Sequence, residues 1–145
     1  METDPVKAIF REENGKTKVV QTKLIEFLEL EGFINVQIGT ITILARKQNN
    51  ILSKSSTGEA IILLRDNLLS RDLKEEYEIF ARGLTSYVSN KKLELLSVAE
   101  VIDDRDEKNL STFYFENCYC EIAKDKIVIK DYKELNRPIW KSRII

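Results

Sequence analysis

Apolar residues along the chain switch between the two-residue spacing of strands and the three-to-four-residue spacing of helices. Residues 9–20 read as a hairpin. Asn14-Gly15 is a strong two-residue turn signal, and its flanks are moderately strand-like. A helix follows, with Thr22 as the expected N-cap and Leu24, Phe27 and Leu28 on one face beside Ile25. Gly32 falls where a left-handed residue ends a helix, and Phe33 is placed to pack back on Leu28. Ile34, Val36 and Ile38 then alternate with Asn35, Gln37 and Gly39. The phase shifts to Ile41, Ile43 and Ala45, which makes Gly39 a bulge or a turn. Gln48-Asn49-Asn50 reads as a second hairpin turn, with Ile51-Leu52 starting the return strand.

The centre reads as helical. Ser56-Thr57-Gly58-Glu59 fits a capping box ahead of the apolar run 60–64 and Leu68-Leu69. A second helix is expected from near Ser70, where Leu73, Tyr77, Phe80, Leu84 and Tyr87 or Val88 recur every three or four residues. Residues 93–102 read as a short helix or turn, and 103–108 as a charged loop. Strand patterns return at 112–115, 118–123 and 126–129, with turns at Asn117 and Lys124-Asp125. The order β–α–ββ–ααα–βββ predicts an α+β fold, with 1–145 as a single domain. Antiparallel β hairpins and a C-terminal β meander would pack on a central group of helices.

Composition narrows the function classes. With 145 residues, 43% hydrophobic and 32% charged, the chain has a globular balance. It can bury roughly 70% of its unfolded surface without disulfide or metal. The start Met-Glu-Thr-Asp-Pro lacks the basic, apolar character of a signal peptide, and no apolar run approaches the length of a membrane span. A cytoplasmic location is expected. The net charge of −1 lacks the basic excess of a DNA-coating protein, so any nucleic-acid contact needs a local patch. The chain has no histidine, hence no imidazole base, metal ligand or nucleophile partner. No catalytic residue, metal or cofactor is expected.

Four groups of residues carry candidate chemistry. Cys118 and Cys120 could give two zinc ligands from one strand face. No other Cys or His completes a tetrahedral set, so burial as small apolar side chains accounts better for them. Lys54-Ser55-Ser56-Thr57-Gly58 lacks the glycine spacing of a phosphate loop and reads better as a helix start. Asp103, Asp104, Asp106 and Glu107 do not follow an EF-hand pattern and read as a solvated loop. Lys16 and Lys18, with Lys23, surround the first hairpin, and Arg46, Lys47 and Lys54 lie on the second. Were the hairpins neighbours, these cations would form a patch able to track phosphates; ordinary surface lysine is the plainer reading.

One resemblance runs through most of the chain. Phe113-Tyr114-Phe115-Glu116-Asn117, Tyr132-Lys133-Glu134-Leu135 and Ile139-Trp140-Lys141-Ser142-Arg143-Ile144-Ile145 resemble the segment ahead of the helicase core in primase–helicase proteins of phages and mobile elements, the D5-like helicases of bacteria. Upstream, Lys23-Leu24-Ile25-Glu26-Phe27-Leu28 with Gly32-Phe33, and Asn49-Asn50-Ile51, are similar to that family's opening and hairpin motifs. Cys118 stands where the family's motif has glycine. The resemblance implies a non-catalytic N-terminal accessory domain of a longer replication protein. Its ATP-binding motifs would lie beyond residue 145, and the apolar end Ile144-Ile145 is expected to continue. Single-stranded or forked DNA and other replication proteins are the implied partners, with Arg46, Lys47 and Lys54 contacting DNA and Lys16 and Lys18 assisting. The alternative is a free-standing protein-interaction or oligomerisation module with no nucleic-acid role.

Overall fold

The first hairpin forms as its turn chemistry demands. In the computed structural model, which describes residues 4–99, 110–135 and 138–144, β1 (Phe10–Glu13) and β2 (Lys16–Val19) pair antiparallel with Glu13 opposite Lys16. That register leaves Asn14 and Gly15 as the two-residue loop, at φ 53° and 75°. Two left-handed residues match the twist of the flanking strands. The helix α1 (Gln21–Leu30) starts as β2 ends. Its N-cap is Val20 rather than Thr22: Val20 N–H donates to Ile9 O at 2.6 Å, while its carbonyl accepts from Lys23 and Leu24 N–H. The hairpin therefore fixes the helix start before Thr22 can cap it. At the other end Gly32 takes φ 96° and donates to Glu29 O at 3.0 Å, as a helix stop requires.

From Gly32 the chain builds a five-stranded sheet whose strands lie in the order Ile139–Trp140, Ile51–Lys54, Ile41–Gln48, Phe33–Ile38 and Val98–Ala99. Strands β3 (Phe33–Ile38) and β4 (Ile41–Gln48) meet at Gly39-Thr40, so the phase change in the sequence is a hairpin turn. Strand β5 (Ile51–Lys54) returns from Asn49 and Asn50, at φ 51° and 62°. Helix α2 (Thr57–Ser70) starts at Ser56, whose hydroxyl accepts from Glu59 N–H. The reciprocal half of a capping box is absent; the Glu59 carboxylate instead accepts the Ser55 hydroxyl at 2.6 Å. The next helix, α3 (Lys74–Arg82), begins four residues later than Ser70, after Asp72 in a left-handed conformation. Short helices α4 (Leu84–Tyr87) and α5 (Asn90–Leu93) follow, then β6 (Val98–Ala99), a parallel strand on β3 where the sequence reads as helix or turn.

The two sheet faces are covered differently. Phe33 and Leu44 face the helices, in a core with Leu24, Leu28, Leu64, Leu68, Phe80 and Leu93. Asn35 lies on that same face and is the one buried polar residue among those described. Its Nδ2 donates to Leu93 O (2.9 Å) and Leu96 O (3.3 Å). On the opposite face Val36, Ala45 and Leu52 are buried, with the partly buried Ile34 and Trp140 packed against them. The alternation of Ile34, Val36 and Ile38 thus marks the face away from the helices.

The meander is β7 (Leu110–Tyr114), β8 (Tyr119–Ala123) and β9 (Lys126–Lys130). Its inner face buries Tyr114 and Tyr119 with Tyr132 and Ile139, against Ile51 of β5. Ile139 lies in β10 (Ile139–Trp140), parallel to β5. The Tyr119 and Tyr132 rings stand 5.8 Å apart, and the Tyr132 hydroxyl donates to Phe115 O. Asn50 ties this unit to the second hairpin, donating to Tyr132 O at 2.7 Å and accepting Ile139 N–H at 2.9 Å.

Burial raises the pKa of both Tyr119 and Tyr132 above the ordinary 10.0. In the unfolded chain these phenols ionise near 10.0; in the folded chain they resist. Stability is therefore full below that pH and falls as pH rises through the folded values. The expected result is that phenolate absorbance of these two residues lags, then appears together with loss of the near-ultraviolet tertiary signal. Reversible ionisation of every tyrosine in a still-folded protein would contradict it.

Candidate functional site

The five cations singled out in the sequence occupy three places. Lys16 and Lys18 are exposed on β2, in a two-stranded sheet separate from β4 and β5. Lys16 lies opposite Glu13, and Lys18 approaches the same carboxylate at 4.0 Å, so this hairpin is of mixed charge. Arg46 is a structural residue. Its Nε donates to Glu31 O at 2.9 Å, at the end of α1, and its guanidinium lies 5.4 Å above the Phe33 ring and 3.4 Å from the Glu31 carboxylate. Lys47 and Lys54 are exposed on the opposite sheet face, alternating with Arg46 and Ser53.

The structure adds two residues to that face. Parallel pairing of β10 with β5 sets Trp140 opposite Leu52, and Lys141 follows it. A groove of about 610 Å³ opens there, floored by Ile38, Ile43, Leu52 and Trp140 and rimmed by Lys54 and Lys141. None of the described residues lining it is acidic. Neither Lys54 nor Lys141 forms an ion pair with a described residue, and both are exposed. The combination is a half-exposed indole beside two free ammonium groups. It suits a ligand with a flat apolar part and a negative charge. In the sequence only an aromatic beside a cation marks this place, and it is remote from Lys54.

Ser56 caps α2 as expected of the Lys54–Gly58 stretch. Cys118 and Cys120 are half-buried free thiols; Cys118 stands just before β8, in the turn that Phe115 N–H closes on Cys118 O. No group of three potential metal ligands forms among the described residues. The acidic cluster Asp103, Asp104, Asp106 and Glu107 lies outside the described residues. Among those described, no helix is long and apolar enough to cross a membrane.

A second surface lies on the outer face of the meander. Phe113, Cys120 and Ile129 form one cross-strand row, and Ile122 and Ile127 another. Opposed residues in a sheet share a face. Phe113, Phe115, Ile122, Ile127 and Ile129 are all exposed. Comparison of the chain with protein-family models, with curated proteins and with solved structures finds no match.

Proposed function

We propose that this chain is a non-catalytic accessory domain of a cytoplasmic mobile-element primase–helicase, and that it holds single-stranded DNA in the groove beside Trp140. The observation that carries the reading is the meeting of the indole with the Lys54 and Lys141 ammonium groups, neither of which forms an ion pair with a described residue. A base stacks on the ring while adjacent phosphates meet the lysines. The resemblance in Ile139-Trp140-Lys141 supports the same assignment, because Trp140 and Lys141 line the groove. Lys47 extends the cationic side, whereas Arg46 serves the fold.

Trp140 is the one tryptophan in the chain, so its fluorescence reports the groove directly. Oligothymidylate is expected to quench it and to raise the anisotropy of a labelled strand at low salt. Two phosphate contacts give a log–log salt slope of about −1.4. Lys54→Glu with Lys141→Glu should weaken binding by about tenfold or more, each lost phosphate contact counting separately. Lys16→Glu with Lys18→Glu should change it less than about twofold, since that hairpin belongs to another sheet. Neither quenching nor anisotropy change at high micromolar protein would sink the nucleic-acid reading. The runner-up, a protein-contact module, is favoured by the apolar outer face of the meander.

A further inference from the structure

The meander is inverted relative to an ordinary half-buried sheet. Its inner face carries Glu121, Lys130 and the tyrosines, and the Glu121–Lys130 pair closes at 3.2 Å. Its outer face carries Phe113, Cys120, Ile122, Ile127 and Ile129, with no charged side chain in either cross-strand row. Ile127 is 67% exposed and Ile129 73%. Two isoleucines this open on one short strand have no role in the core of a single copy.

We infer that the outer face of β7-β8-β9 pairs with the same face of a second copy of this chain, forming a two-layer β-sandwich across a twofold axis. The exposed apolar side chains present roughly 500 Å², at the upper end of the largest patch on a typical monomer. Two copies together remove about 1,000 Å² of apolar surface, and the polar rim adds to it, which reaches the lower limit of a specific interface. The area therefore suits a reversible dimer rather than an obligate one.

The ends of the face are self-complementary. The turn between β7 and β8 carries Glu116; the turn between β8 and β9 carries Lys124 and Asp125, followed by Lys126. A second copy turned end for end sets Glu116 opposite Lys124 twice. Cys120 lies on the central strand, between Phe113 and Ile129 in its row, so it sits near the middle of the proposed contact. The free thiols there need no metal and no disulfide; they pack as small apolar groups.

Sedimentation equilibrium from low micromolar to millimolar protein tests this. A monomer–dimer equilibrium is expected, and alkylation of Cys120 in a Cys118→Ala variant should slow as the dimer forms. Ile127→Lys with Ile129→Lys should remain monomeric throughout, with unchanged circular dichroism and unchanged Trp140 quenching by oligothymidylate, since both side chains are open and neither lines the groove. A chain that stays monomeric at millimolar concentration overturns the inference and leaves the face to a different partner. A dimer that persists in the double-lysine variant, or a Cys120 alkylation rate independent of concentration, overturns it equally. Loss of DNA binding alone leaves the dimer result standing, so the two readings fail separately.

Discussion

Gly32→Ala is expected to destabilise the protein by about 3 kcal/mol, while Gly39→Ala costs about 1 kcal/mol, although both glycines have positive φ. The backbone angles are 96° and 60°. The difference is what surrounds them. A Cβ on Gly32 would stand 2.3 Å from Lys47 O and 3.2 Å from Lys47 C, whereas nothing lies within 4 Å of one on Gly39. The obstructing atoms at Gly32 are backbone of β4 and cannot step aside as a side chain would. Gly32 O also accepts Lys47 N–H at 2.7 Å, so moving the strand away breaks a bond. The Arg46 contacts to Glu31 and Phe33 depend on the same approach. Urea denaturation of the two variants measures the gap. Equal costs would show that left-handed strain alone matters and that the close approach does not.

The turns were legible because positive φ selects a narrow chemistry. Asn14-Gly15, Gly32 and Asn49-Asn50 all stand where their residue types place them. Helical spacing likewise marks α1 and α3, and a capping signal ahead of an apolar run marks α2. The break between α2 and α3 is legible near Ser70 but its extent is not, because Leu68, Leu69 and Leu73 keep apolar spacing through Arg71-Asp72 while the backbone turns left-handed at Asp72 and α3 starts only at Lys74. Strand β6 was missed because two residues are too few to show a period, and it exists through pairing with Val36 and Asn35. The groove depends on a parallel contact between residues far apart in the chain, and local pattern carries no trace of it. Its members carry separate signals in the sequence, Lys54 as a hairpin cation and Trp140 as a motif residue. In the meander both faces alternate with apolar members. Only the packing of Tyr114 on Tyr119, and of Tyr119 on Tyr132, decides which face turns inward.

Asn35→Asp is expected to cost about 3 kcal/mol at neutral pH, and Asn35→Leu less, with the aspartate variant recovering in acid. Period-two spacing gives Asn35 the look of a solvent-facing residue, yet it is buried against the helices. Its amide suits the place because both partners are acceptors: Leu93 O and Leu96 O receive its two N–H bonds. Its backbone N–H donates to Ser97 O at 2.9 Å, and Ser97 N–H and hydroxyl both donate to a Glu29 carboxylate oxygen. One residue thus joins β3, the end of α5, the start of β6 and the last turn of α1. Leucine removes two hydrogen bonds but leaves no buried charge; Leu93 O keeps its bond from Leu96 N–H. A carboxylate at the same position points acceptors at acceptors and buries a charge. Its pKa in the folded state is raised above the unfolded value of about 3.9. The variant's stability is then greatest below that value, where the protonated carboxyl donates one bond. It is lost as pH rises through the folded pKa. Denaturant titrations of wild type and both variants at acid and neutral pH test the argument. A deficit for the aspartate variant that is equal at the two pH values, or smaller than that of leucine at neutral pH, would remove the donor role from Asn35.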